Sequence, residues 1–88
     1  TAWYYAYRGI ATTMLKQRDA AKTDLDKAIT MSPGYIEAYY FLGLWHEQGG
    51  NKAEASKAYR ESLKSTASTG EARSAQEKAL KRLSVIGG

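Results

Sequence analysis

The chain is similar to itself when it is shifted by 34 residues, and the two copies align without a gap. Five pairs of positions correspond in type or size at this offset: Tyr5 with Tyr39, Gly9 with Gly43, Ala21 with Ala55, Leu25 with Tyr59, and Ala28 with Ser62. A fixed period of this length is typical of repeat proteins, in which stacked units share one continuous core. The sequence therefore predicts two copies of one structural unit, followed by a shorter remainder.

Helical spacing of apolar residues indicates the structure of that unit. Trp3, Tyr7, Ile10 and Met14 recur at steps of four, three and four, which places them on one stripe of a helix over 1–15. The same reasoning gives a second helix that stops at Ser32-Pro33-Gly34, a third over 35–48, a fourth from Asn51 and a fifth that ends near Val85. We expect an all-α superhelix of five helices: a hairpin over 1–34, a hairpin over 35–68 and a capping helix over 69–88.

Two helix starts carry capping signals. Asn51 precedes Glu54 by three residues, and Ser68 precedes Glu71 by three residues. A side-chain oxygen at such a position accepts from a free backbone N–H of the first turn. The sequence therefore predicts N-caps at Asn51 and Ser68.

Composition limits the class of protein. With 88 residues, 43% hydrophobic content, one proline and no cysteine, the chain suits one small helical domain without disulfides. The first residues lack the pattern of a signal peptide, and no apolar run reaches the roughly 20 residues that cross a bilayer, so we expect no membrane insertion by this segment. Because the chain lacks an initiator Met and Trp3 lies almost at its start, we expect a piece of a longer protein. Nothing in the sequence assigns a cellular compartment.

Enzymatic residue patterns are almost absent. His46 is the only histidine and there is no cysteine, so the sequence predicts no catalytic residues, no metal site and no cofactor. We expect His46 to be a half-buried packing residue. The carboxylates of Asp24, Asp26 and Glu47 are expected on solvent-facing sides of helices, with Asp24 paired to Lys27.

The repeat resembles the tetratricopeptide repeat family. The second copy reads Tyr39-x-x-Leu42-Gly43-x-x-His46 and then Ala55-x-x-x-Tyr59, and the first reads Tyr5-x-x-Arg8-Gly9-x-x-Thr12 and then Ala21-x-x-x-Leu25, ending at Pro33. Arg8, Thr12, His46 and Ala67 depart from the family pattern. The glycines and alanines have a packing reason, since small residues let paired helices approach closely. The fifth helix has Arg73 and Glu77 where a third repeat would have an aromatic residue and glycine, which favours a cap.

The resemblance implies a non-catalytic interaction scaffold that binds a partner peptide or helix on its concave face. Transferred by register, that face comprises Trp3, Tyr7, Ile10, Met14, Tyr40, Phe41, Leu44 and Glu47, with Lys78 and Arg82 from the cap. We expect a partly apolar partner segment with an acidic group near Lys78 and Arg82. Family members that clamp the C-terminal carboxylate of a peptide use Lys, Arg and Asn at inner positions. The corresponding residues here are Ala6, Ile10, Tyr40, Phe41 and Ala75. The resemblance therefore argues against carboxylate-clamp binding.

Two other binding classes stay open. Helix 1 is apolar nearly all round, which favours self-association as a homodimer or cover by an upstream domain of the same chain. The net charge of +4 is spread thinly, and only Arg73, Lys78, Lys81 and Arg82 form a basic cluster, so binding of RNA or an acidic surface is the least favoured class.

Overall fold

The computed structural model describes residues 1–87 and confirms the all-helical prediction. Its five helices are α1 (Ala2–Met14), α2 (Arg18–Met31), α3 (Ile36–Gln48), α4 (Lys52–Ser62) and α5 (Gly70–Ile86). The described residues contain no strand. Gly88, the end of the predicted cap range, lies outside the described residues. Helix α3 is central, because it packs against all four other helices.

The turn inside each hairpin contains a residue with left-handed backbone. In the second hairpin this residue is Gly50, with a φ of 79°, as the glycine pair predicts. In the first hairpin the equivalent residue, 34 positions earlier, is Lys16, with a φ of 62°. Both hairpins therefore follow the same path, although only glycine takes this conformation at little cost.

Of the two predicted N-caps, one is confirmed and one is displaced by a residue. The Asn51 side chain accepts from the Glu54 backbone N–H at 3.2 Å, as predicted. At α5 the cap is Thr69, whose hydroxyl accepts from the Ala72 backbone N–H at 3.0 Å, and the prediction of Ser68 is wrong. Both residue types can cap, so the sequence signal did not distinguish neighbouring positions.

Close approach of paired helices depends on the two matched glycines. A Cβ atom added to Gly43 would lie 2.2 to 2.8 Å from ring atoms of Tyr59, and one added to Gly9 would lie 2.8 Å from Leu25. Leu25 and Tyr59 are fully buried. The glycines thus make room for the largest side chains of the facing helices.

Helix α5 covers the open end of the second hairpin. Ala72, Ala75 and Ala79 are buried, and they pack near Ile36, Tyr59 and other residues of α3 and α4. The Gln76 side-chain amide donates to the carbonyls of Ser62 at 3.0 Å and Ser65 at 2.7 Å. The predicted apolar face of α5 therefore meets the core, as expected of a cap.

The prediction that Asp24 faces solvent is wrong. Asp24 is buried and accepts two hydrogen bonds at 2.8 Å from the Arg8 guanidinium, with no bond to Lys27. Arg8 stands where the family pattern has leucine, and its forked donor group fits a carboxylate. The departure at Arg8 is therefore compensated by a polar partner on α2.

A polar contact joins the two hairpins. The Trp45 indole N–H donates to the Arg18 carbonyl at 2.9 Å, and the Arg18 guanidinium donates to the Trp45 carbonyl at 3.0 Å. The guanidinium also stacks over the indole ring, 4.0 Å from its centroid. These contacts fix how α2 sits against α3.

Candidate functional site

A cavity of about 390 Å³ opens between α1, α3 and α5. We call this cavity the groove. It is lined by Tyr7, Glu37, Tyr40, Phe41, Gly70, Glu71, Ser74, Ala75 and Lys78. The lining residues of α3 follow one another at steps of three and one, and those of α5 at steps of one and three, so each set lies on one side of its helix.

Aromatic rings form one wall of the groove. The rings of Tyr7 and Phe41 meet edge to face, with centroids 5.2 Å apart, and the rings of Tyr40 and Phe41 lie 5.7 Å apart. Phe41 is 8% exposed and belongs to the core, whereas Tyr40 is half-buried and Tyr7 is exposed. Burial raises the pKa of Tyr7 and Tyr40, so both hydroxyls stay protonated at neutral pH. The accessible aromatic surface therefore comes from Tyr7 and Tyr40.

The structure brings four of the predicted site residues into the groove lining, namely Tyr7, Tyr40, Phe41 and Lys78. Four others lie elsewhere. Ile10 and Leu44 are partly buried against the core. Trp3 and Met14 are 61% and 74% exposed on α1, outside the lining.

The remaining two predicted residues, Glu47 and Arg82, bind each other. The Arg82 Nε donates to Glu47 Oε1 at 2.8 Å, and Arg82 Nη2 donates to Glu47 Oε2. The buried Tyr59 hydroxyl also donates to Glu47 Oε1 at 2.6 Å. The expectation that Glu47 faces solvent is therefore wrong, and the charge of Arg82 is already neutralised.

Glu37 is a groove residue that the sequence reasoning missed. It is 9% exposed, and within the described residues no hydrogen bond or ion pair reaches its carboxylate. Burial and, to a smaller extent, the nearby Glu37 charge together raise the pKa of Tyr35 to about 12. The sequence did contain a signal for this placement. Glu37 lies on the same helical stripe as Tyr40 and Leu44, which were predicted to line the groove, and its equivalent 34 residues earlier is Trp3, which was predicted to line it as well.

The residues through Gly87 show no constellation for metal binding. Across that part of the chain, no group of three or more His, Cys, Asp and Glu side chains is placed to hold an ion. His46 is half-buried, its ring meets Trp45 edge to face at 5.0 Å, and burial lowers its pKa. None of the helices in the same part is long and apolar enough to span a membrane.

We predict that Glu47 makes stability depend on acidity. Its pKa lies below the ordinary 4.5, chiefly because Arg82 donates to the charged form. A carboxylate whose pKa is lower in the folded chain than in the unfolded chain stabilises the fold at pH values above its unfolded-state pKa. That contribution is lost as the pH falls through the folded-state pKa. The free energy of unfolding should therefore fall below about pH 4.5, and Glu47→Gln should lower it by about 1 to 3 kcal/mol at pH 7 while reducing this acid dependence.

Urea unfolding at pH 7, 4 and 3 checks this. Glu77→Gln is the matched control, because it removes the same charge from an exposed position of α5. An acid dependence that is equal in Glu47→Gln and in the unmodified chain would contradict the assignment.

Two comparisons find relatives of the chain. Residues 36–69 match the family model described as "Tetratricopeptide repeat". The chain is similar to "Small glutamine-rich tetratricopeptide repeat-containing protein 2" of Saccharomyces cerevisiae (strain ATCC 204508 / S288c), with 39% identity over 62 residues that cover 70% of this chain and 18% of the yeast protein. The chain thus spans less than a fifth of that relative's length. No solved structure gives a significant match.

Proposed function

We propose that the chain, a member of the tetratricopeptide repeat family, is a non-catalytic interaction module. It binds a segment of another protein in the groove. The observation that carries the proposal is the cavity itself, open to solvent between three helices and walled by Tyr7 and Tyr40. Tyrosine supplies a large, stiff contact area at low entropic cost, and it is enriched among residues that dominate binding energy.

The size of the groove favours one anchoring side chain of an extended or helical segment. Its volume of about 390 Å³ lies at the lower end of the roughly 300 to 1,000 Å³ of small-molecule pockets. A segment laid along α3 and α5 inserts one residue here and rests its neighbours on the flanking helices. Such insertion of spaced residues is the usual mode of peptide recognition in helical grooves.

Blocking the groove tests the proposal. Peptides are selected from a phage-displayed library of random 12-residue sequences on the immobilised chain, and their affinities are measured by fluorescence anisotropy. Ser74→Trp places a bulky ring among the lining residues, and Ser84→Trp places the same ring at an exposed position of α5 outside the lining.

We expect Ser74→Trp to weaken binding by about tenfold or more, because it fills the space that an anchoring side chain occupies, and Ser84→Trp to leave it unchanged. Selected peptides that bind both variants equally well, or a selection that yields no peptide, would count against the groove as the binding site.

The exposed face of α1 favours a second candidate function, self-association. Trp3, Tyr4, Met14 and Leu15 are all exposed there, and large apolar patches commonly mark surfaces that other proteins cover. If two copies pair through this face, the mass measured by light scattering should fall from dimer to monomer across a hundredfold dilution. Trp3→Ser should then remain monomeric at every concentration, and a constant monomer mass for the unmodified chain would reject this candidate.

A further inference from the structure

Glu37 is unusual because it is buried and groove-facing, yet has no partner. Its residue exposure is 9%, it lines the groove, and no cation of the described chain pairs with it. Glu37 has no side-chain oxygen that is both buried and unpaired, so its carboxylate reaches the solvent of the groove. The carboxylate is thus placed where a bound group could supply the missing positive charge.

A position in the first turn of a helix explains Glu37 only in part. Glu37 and Glu71 are both the second residue of their helices, where the helix dipole favours a negative charge. That benefit is the same for both residues, and it does not explain why they meet at one cavity. Glu37 lines the groove from α3 and Glu71 lines it from α5, so two carboxylates face the same space.

The cations near this cavity leave the two carboxylates uncompensated. Arg82 is bound to Glu47 and does not line the groove. Lys78 does line the groove, but it lies two helical turns beyond Glu71 on α5, about 10 Å along the axis at 1.5 Å per residue. No described contact joins Lys78 to Glu37 or Glu71.

We infer that the partner segment of the proposed function anchors itself by a lysine or arginine side chain that enters the groove and pairs with Glu37 and Glu71. The aliphatic stem of that side chain lies against Tyr7 and Tyr40, whose rings also attract the cationic head. The inference rests on the groove being the binding site. It adds a positive charge to the partner at this end of the groove, and it leaves Lys78 as the contact for the acidic partner group that the sequence predicts at the other end.

The test uses the 12-residue peptides selected on the chain and a double-mutant cycle. Each peptide is synthesised with its lysine or arginine replaced by glutamine, and both forms are titrated against the unmodified chain and against Glu37→Gln. Glu77→Gln is the charge-matched control, because Glu77 is exposed on α5 and outside the lining. Glutamine keeps the shape of glutamate, and circular dichroism and thermal melting establish that each variant is folded.

We expect the selected peptides to share a lysine or arginine. Replacing it should weaken binding about tenfold in the unmodified chain and in Glu77→Gln, but by only about threefold in Glu37→Gln, in which Glu71 alone still pairs with it. Peptides that are blocked by Ser74→Trp but bind Glu37→Gln undiminished, or that share only an acidic residue, would overturn this inference and leave the groove as the binding site. Peptides unaffected by Ser74→Trp would instead overturn the proposed function, and the inference with it.

Discussion

Gly43→Ala is expected to lower the free energy of unfolding by about 1 to 3 kcal/mol or more, because the added methyl group overpacks the second hairpin. The new Cβ would lie 2.2 to 2.8 Å from the Tyr59 ring. That ring cannot move aside easily, since Tyr59 is fully buried, packs near Tyr40 and donates its hydroxyl to Glu47. Urea unfolding followed by tryptophan fluorescence measures the loss.

Gly70→Ala provides the matched control. A Cβ atom at Gly70 meets nothing within 4 Å, and this glycine has no left-handed backbone. Alanine there should leave stability unchanged or raise it by up to about 1 kcal/mol, through lower entropy of the unfolded chain. If Gly43→Ala were as stable as Gly70→Ala, the register of α3 against α4 described above would be wrong.

A chain that ends at Ser68 is expected to lose cooperative unfolding altogether. Without α5, the core cluster around Ile36 and the one around Tyr59 face water, and Glu47 loses Arg82. Each Å² of apolar surface exposed in this way costs about 25 cal/mol, and a small domain has only about 5 to 15 kcal/mol of stability to lose. Circular dichroism during heating should show a broad, shallow change in place of a sharp transition.

A chain that ends at Ile86 is the control, because it keeps the whole of α5. It should melt as the full chain does. A sharp transition at an unchanged temperature for the chain that ends at Ser68 would mean that α5 is not part of the folded unit, and it would remove one wall of the groove.

The sequence was sufficient for features that depend on local signals. The break at Pro33, the Gly49-Gly50 turn and the Asn51 cap each involve neighbouring residues with a fixed conformational preference, and the 34-residue offset shows that one such local pattern occurs twice. The offset also identified Gly43 as a close-approach position, since small residues recur where helices of a repeat touch. These features gave the number, order and approximate bounds of the helices.

Pairs of charged residues from different helices could not be predicted in the same way. Arg8 and Asp24 are 16 residues apart, and Glu47 and Arg82 are 35 residues apart. Each side chain taken alone resembles an ordinary solvent-facing residue. Their pairing depends on the angle at which whole helices pack, which the pattern of a single helix does not contain.

Glu37 was missed for a related reason. An acidic residue in the first turn of a helix is common and stabilising, so the local pattern gave it a sufficient explanation. Its place in the groove depends on α5, because Gly70 and Glu71 of that helix complete the lining. The site therefore became complete only when α3 and α5 were placed together.

The most direct test of the groove as the binding site is a titration of the isotopically labelled chain with one selected 12-residue peptide, followed by backbone amide chemical shifts in NMR spectra. The largest shift changes should fall at groove residues of all three helices, at Tyr7, at Glu37 and Tyr40, and at Ser74. Changes confined to the exposed face of α1, around Trp3 and Met14, would contradict it.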